Sequence, residues 1–235
     1  MHDVGIYENL ILGIYFLLLK KCKIFDEKTI VRCYTGRSMR INVRKHERRG
    51  YQSIKMSNIL EKQFLKQRND FEKSCVERDK KYHFPQGVIF ETDIAYAKDK
   101  NKAHRLDRYR PKGKEAQILP VIINVHGGGL LLGNKEFNKY FCALLSKKGF
   151  LVYSMEYRLI PDCTFFDQLR GIFLAMDFVK EHAAADGGDL SHVYLVGDSG
   201  GACLATYANA IQNSKKIAKA AGVKPSELKV HALGL

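Results

Sequence analysis

No pair of cysteines in this 235-residue chain is spaced C-x-x-C, and no Cys/His cluster has the spacing of a zinc site. The six cysteines (Cys22, Cys33, Cys75, Cys142, Cys163, Cys203) are scattered, and three of them sit in apolar runs. That usage suits free thiols in a reducing, cytoplasmic setting. Long apolar runs are missing too. Leu10–Leu19 holds ten apolar residues, where a bilayer span takes roughly 20. Asp3 and Glu8 precede it and Lys20, Lys21 and Cys22 follow, which is not the pattern of a secretory signal. The run reads as a buried or cap-forming helix, with a membrane-surface anchor as the alternative. There is no internal repeat, no low-complexity tract and no recognised nucleic-acid motif.

Acidic residues are in deficit. The chain carries 39 Lys and Arg against 25 Asp and Glu, a net charge of +14. Residues 1–116 hold 27 against 15, and residues 117–235 hold 12 against 10, so the basic excess belongs to the first half. It is densest from Arg37 to Arg49. Such a surface could attract nucleic acid or anionic lipid, but a solvated helical face is the preferred reading. With 46% hydrophobic residues, the chain can bury one sizeable core.

Element signals divide the chain near residue 84. Ser57–Lys81 predicts a helix: Ser57 is a candidate N-cap, and Leu60, Phe64, Phe71 and Cys75 recur at helical spacing. Val88–Tyr96 and Ala103–Tyr109 predict strands, the second ended by Pro111. Val121–Val125 is a continuous β-prone run, as expected for a strand covered on both faces. Helices over 136–147, 166–182 and 202–221 then alternate with strands over 150–155, 193–196 and 229–235. This order predicts an α/β fold with a mainly parallel sheet flanked by helices, antiparallel first strands and a helical N-terminal cap. The division is a basic helical region, 1–84, and an α/β core, 85–235.

Gly197-Asp198-Ser199-Gly200-Gly201 is the phrase around the nucleophile of trypsin-like proteases, and it is also a G-x-S-x-G elbow. Its flanks choose between them. A strand, Tyr194–Val196, runs into it, and helix-forming Ala202–Ala210 follows. Ser199 therefore falls on a strand-to-helix turn. A second motif, His126-Gly127-Gly128-Gly129, directly follows the Val121–Val125 strand. Consecutive glycines leave backbone N–H groups free to stabilise an oxyanion. Alone, such a loop could equally be a phosphate-binding or merely tight turn.

With "HGGG" at 126–129, "YRLIPD" at 157–162 and "GDSGG" at 197–201, the chain resembles the hormone-sensitive-lipase-like esterases of the α/β-hydrolase fold. "RLDRYRP" at 105–111 extends the likeness, which covers roughly residues 85–235. The resemblance implies Ser199 as nucleophile and Gly127, Gly128 and Gly200 as oxyanion donors. His126 would brace the loop, and Tyr157 and Arg158 would buttress the site. It implies a small-molecule ester substrate, no cofactor, no metal and no nucleic-acid partner. Ile160, Asp162 and Gly200 depart from the family's usual residues at those places.

A serine needs a base, and in this fold the acid and histidine follow it in the chain. After Ser199 stand one acid, Glu227, and one histidine, His231. Both fall at or before the start of the next strand, far from its carboxyl end, where the site would lie. The resemblance puts the triad acid and histidine after two later strands. The chain is therefore expected to lack the last strands, to hold neither triad partner and to be inactive as it stands. The alternative is a non-catalytic, small-molecule-binding relative of the same fold.

Overall fold

The computed structural model describes residues 58–235. The apolar run Leu10–Leu19, the basic stretch Arg37–Arg49, the N-cap candidate Ser57, Cys22 and Cys33 lie outside the described residues. Helix α1, Asn58–Asp79, opens the described part. Its half-buried positions include Phe64, Arg68, Phe71, Cys75 and Arg78, an i, i+4, i+7 stripe that mixes aromatic rings with two arginines.

Six strands form one sheet in the order β1-β2-β4-β3-β5-β6. They are β1 Val88–Ala95, β2 Arg105–Pro111, β3 Leu119–Val125, β4 Leu151–Met155, β5 Gly188–Gly197 and β6 Ala232–Gly234. β1 pairs antiparallel with β2, and β2 antiparallel with β4. β3, β4, β5 and β6 pair in parallel. The expected mainly parallel sheet with antiparallel first strands is therefore present, flanked by helices. β4 is buried along its whole length and β3 along nearly all of it. Ile122, Val152 and Tyr109 pack with Cys142 and Ala143 of α2, Lys139–Lys147, on one side of the sheet. Their strand neighbours Val121, Ile123, Leu151 and Tyr153 are fully buried on the other side. There lie α3, Phe165–His182, and α4, Gly200–Asn213. Leu169, Phe173, Met176 and Val179 form the buried face of α3, as their spacing predicts. Thr164 and Asp167 close its N-terminus as a reciprocal capping box.

Three expectations are corrected. The single helix expected over 202–221 is two, α4 and α5 (Lys215–Ala221). Ser214 between them is extended, and its hydroxyl accepts from Ile217 N at 3.3 Å. A serine that caps a new helix ends the old one. The helix expected from Glu136 begins as a 3-10 turn, Lys135–Asn138, capped by Asn134. β5 starts five residues earlier than expected, at Gly188.

One buried cation was not apparent in the sequence. Lys135 is 3% exposed, and its Nζ lies 3.0 Å from buried Asp107 and 3.1 Å from Asp93, with Glu136 also paired to it. These carboxylates hold its ammonium well above the usual lysine range, outweighing burial, which acts the other way. Burial pushes Asp107 upward. Removing one member of such a set leaves a charge uncompensated. Lys135→Met is therefore expected to cost about 3 kcal/mol of stability. Urea denaturation of the variant measures this, and a loss indistinguishable from zero would show the pair to be solvated.

Candidate active site

The site is built where β3 and β5 end side by side, with Val125 paired to Gly197. β5 runs into Ser199, which stands at φ 50, ψ −114 immediately before α4. A non-glycine residue at such a dihedral is strained, and the surrounding backbone must impose it. Here a close approach does so. A Cβ on Gly201 would lie 2.1 Å from Val125 O, so only glycine lets α4 start this near the end of β3. Ser199 is exposed, and its hydroxyl has no hydrogen-bond partner among the described residues.

The glycine loop packs onto the same helix start. A Cβ on Gly200 would stand 2.9 Å from Leu130 N and 3.0 Å from Gly129 N. The loop amides and the first amide of α4 thus converge beside Ser199. Among the described residues, the N–H groups of Gly128, Gly129 and Gly200 make no hydrogen bond. Gly127 differs. Its N–H was expected to face substrate, but it donates to Asp198 Oδ1 at 3.0 Å, which also accepts from Asn138 Nδ2 at 2.8 Å.

His126 is fully buried beneath the loop. Its Nδ1 faces Gly127 O at 2.8 Å and its Nε2 faces Glu156 Oε1 at 2.9 Å. Tyr157 stacks on it, with ring centroids 4.2 Å apart, and donates its hydroxyl to His126 O at 2.8 Å. Both ring nitrogens of His126 are thus engaged with loop and strand. Arg158 donates to Asp162 O at 2.6 Å, within its own loop, and its carbonyl accepts from Gln168 Nε2 at 2.9 Å.

Glu156, Asn138 and Asp198 were missed as support residues. Glu156 also accepts from Lys135 N at 3.0 Å and Tyr157 N at 3.1 Å. The sequence does hold a signal for two of them, since Asp198 lies inside the elbow phrase and Glu156 directly precedes Tyr157. The two residues after Ser199 that could have served a triad lie elsewhere. His231 N donates to Val193 O at 2.8 Å, and its Nδ1 accepts from Val193 N at 3.3 Å. Val193 stands four residues before Gly197 on β5, about 13 Å of strand. Glu227 pairs with Lys180 on the surface. No helix among the described residues is long and apolar enough to cross a membrane.

A mainly parallel sheet, a strained serine on a strand-to-helix turn and a glycine loop against it define the class: an α/β-hydrolase fold of the kind found in esterases. The chain belongs to the BD-FAE family, whose model matches residues 106–233. It is 31% identical over 114 residues to isoprenylcysteine alpha-carbonyl methylesterase ICME of Arabidopsis thaliana, a match covering 48% of this chain and 26% of that protein. It is 30% identical over 112 residues to versiconal hemiacetal acetate esterase of Dothistroma septosporum, covering 47% and 32%. Among solved structures it resembles esterase B of Lactobacillus rhamnosis inhibited by a tributyrin phosphonate. The TM-score is 0.71 at 27% identity, over 76% of this chain and 58% of that one. An esterase of Pyrobaculum calidifontis matches at TM-score 0.53 and 28% identity, over 69% and 49%. The matched part thus spans about a quarter to a third of these two curated relatives and about half of these two solved chains.

Asp198 joins loop and elbow through one carboxylate. Asp198→Ala leaves the Gly127 N–H and the Asn138 amide without their acceptor. An expected loss of about 1–3 kcal/mol follows. Urea denaturation measures it, and amide exchange at Gly127 should accelerate in parallel.

Proposed function

We propose that the chain carries the nucleophile and oxyanion hole of a carboxylic-ester hydrolase that works through an acyl-enzyme on Ser199. The observation that carries this reading is the convergence of three unbonded amides, Gly128, Gly129 and Gly200, beside an exposed serine on a strained turn. Ser199 Oγ gives up its proton to water or an added base and attacks the ester carbonyl, whose oxygen gains negative charge; the tetrahedral adduct then collapses, breaking the C–O bond to expel the alcohol and leave the acyl group on Oγ. The three N–H groups meet that charge without reorganising, and one such donor is typically worth about 3–4 kcal/mol. Gly129 takes the place in the donor set first assigned to Gly127, whose N–H is committed to Asp198. His126, Glu156 and Tyr157 hold the loop's shape and take no part in proton transfer. Small acyl esters are the substrate class this reading favours, in keeping with a relative named as an acetate esterase. No cofactor enters.

None of the described imidazoles hydrogen-bonds to Ser199 Oγ, and His231 is held at Val193. On this reading the described residues alone are catalytically incomplete. Loss of triad members costs on the order of 10⁶ in kcat, and the oxyanion hole and binding retain roughly 10³–10⁴ over water. A second reading, a non-catalytic small-molecule-binding relative, draws on the same placement of His231. Incubation with p-nitrophenyl acetate, followed by peptide mapping, tests the choice. The expected outcome is slow acetylation at Ser199 that is lost in Ser199→Ala. An unmodified Ser199, with the small ester still bound, would favour the binding reading.

A further inference from the structure

Helix α1 lies before the family-matched segment, yet it reaches the site. Arg68, on its half-buried stripe, has a side chain only 17% exposed. Its guanidinium serves three acceptors on two loops. Nε donates to Leu131 O at 3.0 Å, Nη2 to Ile160 O at 2.7 Å and Nη1 to Asp162 Oδ2 at 2.8 Å. The first loop leads directly out of Gly128 and Gly129. Leu130 within it stands at φ 71, a left-handed conformation uncommon for a non-glycine residue, and its N lies against Gly200. Leu130 O in turn accepts from Ile160 N at 3.0 Å and from Gln168 Nε2 at 2.9 Å. The two loops are therefore bonded to each other, and Arg68 spans both.

We propose that Arg68 is a positioning residue: from α1 it fixes where the Gly128 and Gly129 amides stand relative to Ser199. The inference rests on the ester-hydrolase reading of the same site. A guanidinium suits the task because its rigid planar fork presents N–H groups in three directions, whereas a lysine ammonium is a point charge on a flexible stem. The plainer role, docking the helix, has other carriers. Arg78 donates to Phe137 O at 3.1 Å and lies over its ring at 4.9 Å, and Phe71 packs on the same ring at 5.2 Å. Asp79 pairs with Lys139 at 2.5 Å. These contacts hold α1 at the 3-10 turn and the start of α2. Arg68 holds the loops.

The test compares Arg68→Ala, Arg68→Lys and Arg78→Met in the full chain. Two quantities are read: amide exchange over residues 127–132 and the rate of Ser199 acetylation by p-nitrophenyl acetate. In Arg68→Ala, exchange at the Leu131 and Leu132 amides, both bonded to Gly128 O, is expected to rise at least about 10-fold. Acetylation should slow by about 10- to 100-fold with apparent affinity for the ester nearly unchanged, since a misplacement of about 1 Å can cost 10²-fold. Millimolar methylguanidinium should restore part of the rate to Arg68→Ala, and Arg68→Lys should not recover it. Arg78→Met should leave loop exchange and rate within about twofold, because Phe71 on Phe137 and the Asp79–Lys139 pair still dock the helix and Arg68 stays on the loops. Unchanged exchange in a folded Arg68→Ala, or an equal effect in Arg78→Met, overturns the proposal. If Arg68→Ala does not fold, Arg68→Lys carries the test by the same two measurements. A wild-type Ser199 that never acetylates sinks the hydrolase reading, and Arg68's role in it, whatever the exchange shows. Unchanged exchange beside normal acetylation sinks the clamp alone.

Discussion

The contact on which the site depends is between two pieces of backbone. Gly201 at the start of α4 sits so close to Val125 O that a single added carbon would fall 2.1 Å from that oxygen. Val125 ends β3 and Gly197 ends β5, and these two residues pair across the sheet. The chain must leave β5, reverse and begin a helix over its neighbour's last carbonyl within four residues. Ser199 is where that reversal is absorbed, which is why a serine occupies φ 50, ψ −114. The strain also has a consequence for exposure. The residue that takes the unusual dihedral is pushed outward, with its hydroxyl free and the first amide of α4 beside it. Gly200 then brings the glycine loop to the same point.

Backbone crowding alone would leave several buried polar groups at the strand ends without partners, at a cost of roughly 1–3 kcal/mol each. They are joined instead into a chain that crosses the sheet. Lys135 Nζ meets Asp107 on β2, and Lys135 O accepts from Ser154 Oγ on β4 at 3.3 Å. Ser154 Oγ accepts from Asn124 Nδ2 on β3 at 3.2 Å. Asn138 approaches Asn124 Oδ1 at 3.5 Å and donates to Asp198 at the end of β5. Each strand that contributes to the site thus contributes one link. The elbow's acid, Asp198, is the terminus of this network, and through it the Gly127 N–H is withdrawn from the solvent side. The unbonded amides of the loop therefore begin one residue further along, at Gly128 and Gly129.

What could be read from residues alone follows from how local each cause is. The strand Val121–Val125 and the buried face of α3 are legible because hydrophobic period and burial are properties of a short stretch. The elbow is legible because its glycines sit within two residues of Ser199. The break at Ser214 was missed because the segment 202–221 is helix-forming throughout, and a capping hydroxyl carries little weight against that propensity until the chain is seen to turn. Lys135, Asn138 and Glu156 were missed for a different reason. Their partners on other elements lie 14 to 60 residues away and are chosen by strand register, which no short stretch encodes. The commitment of the Gly127 amide to Asp198 was missed for the same reason. Three glycines in a row look equivalent until Asp198, 71 residues later, takes one of their amides.

The division between a matched core and an unmatched leading helix is also less sharp in physical terms than along the chain. A loop of glycines has the conformational freedom that lets its amides turn inward, and that same freedom makes it poor at staying there. Amides that stabilise developing charge do so only if they are already in place when the charge appears. Something must therefore supply rigidity that the glycines cannot. Inside the matched segment, Gln168, Tyr157 and Asp198 each hold one point of the loop or of the strand end that carries it. Outside it, α1 offers little apolar surface but places two arginines on its inward stripe, and both donate to backbone carbonyls of the core. A helix docked in this manner binds in part to main-chain atoms, whose positions are set by the fold and not by side-chain identity. It can brace a site while sharing no sequence motif with it, and this is the physical sense in which α1 belongs with the core it precedes.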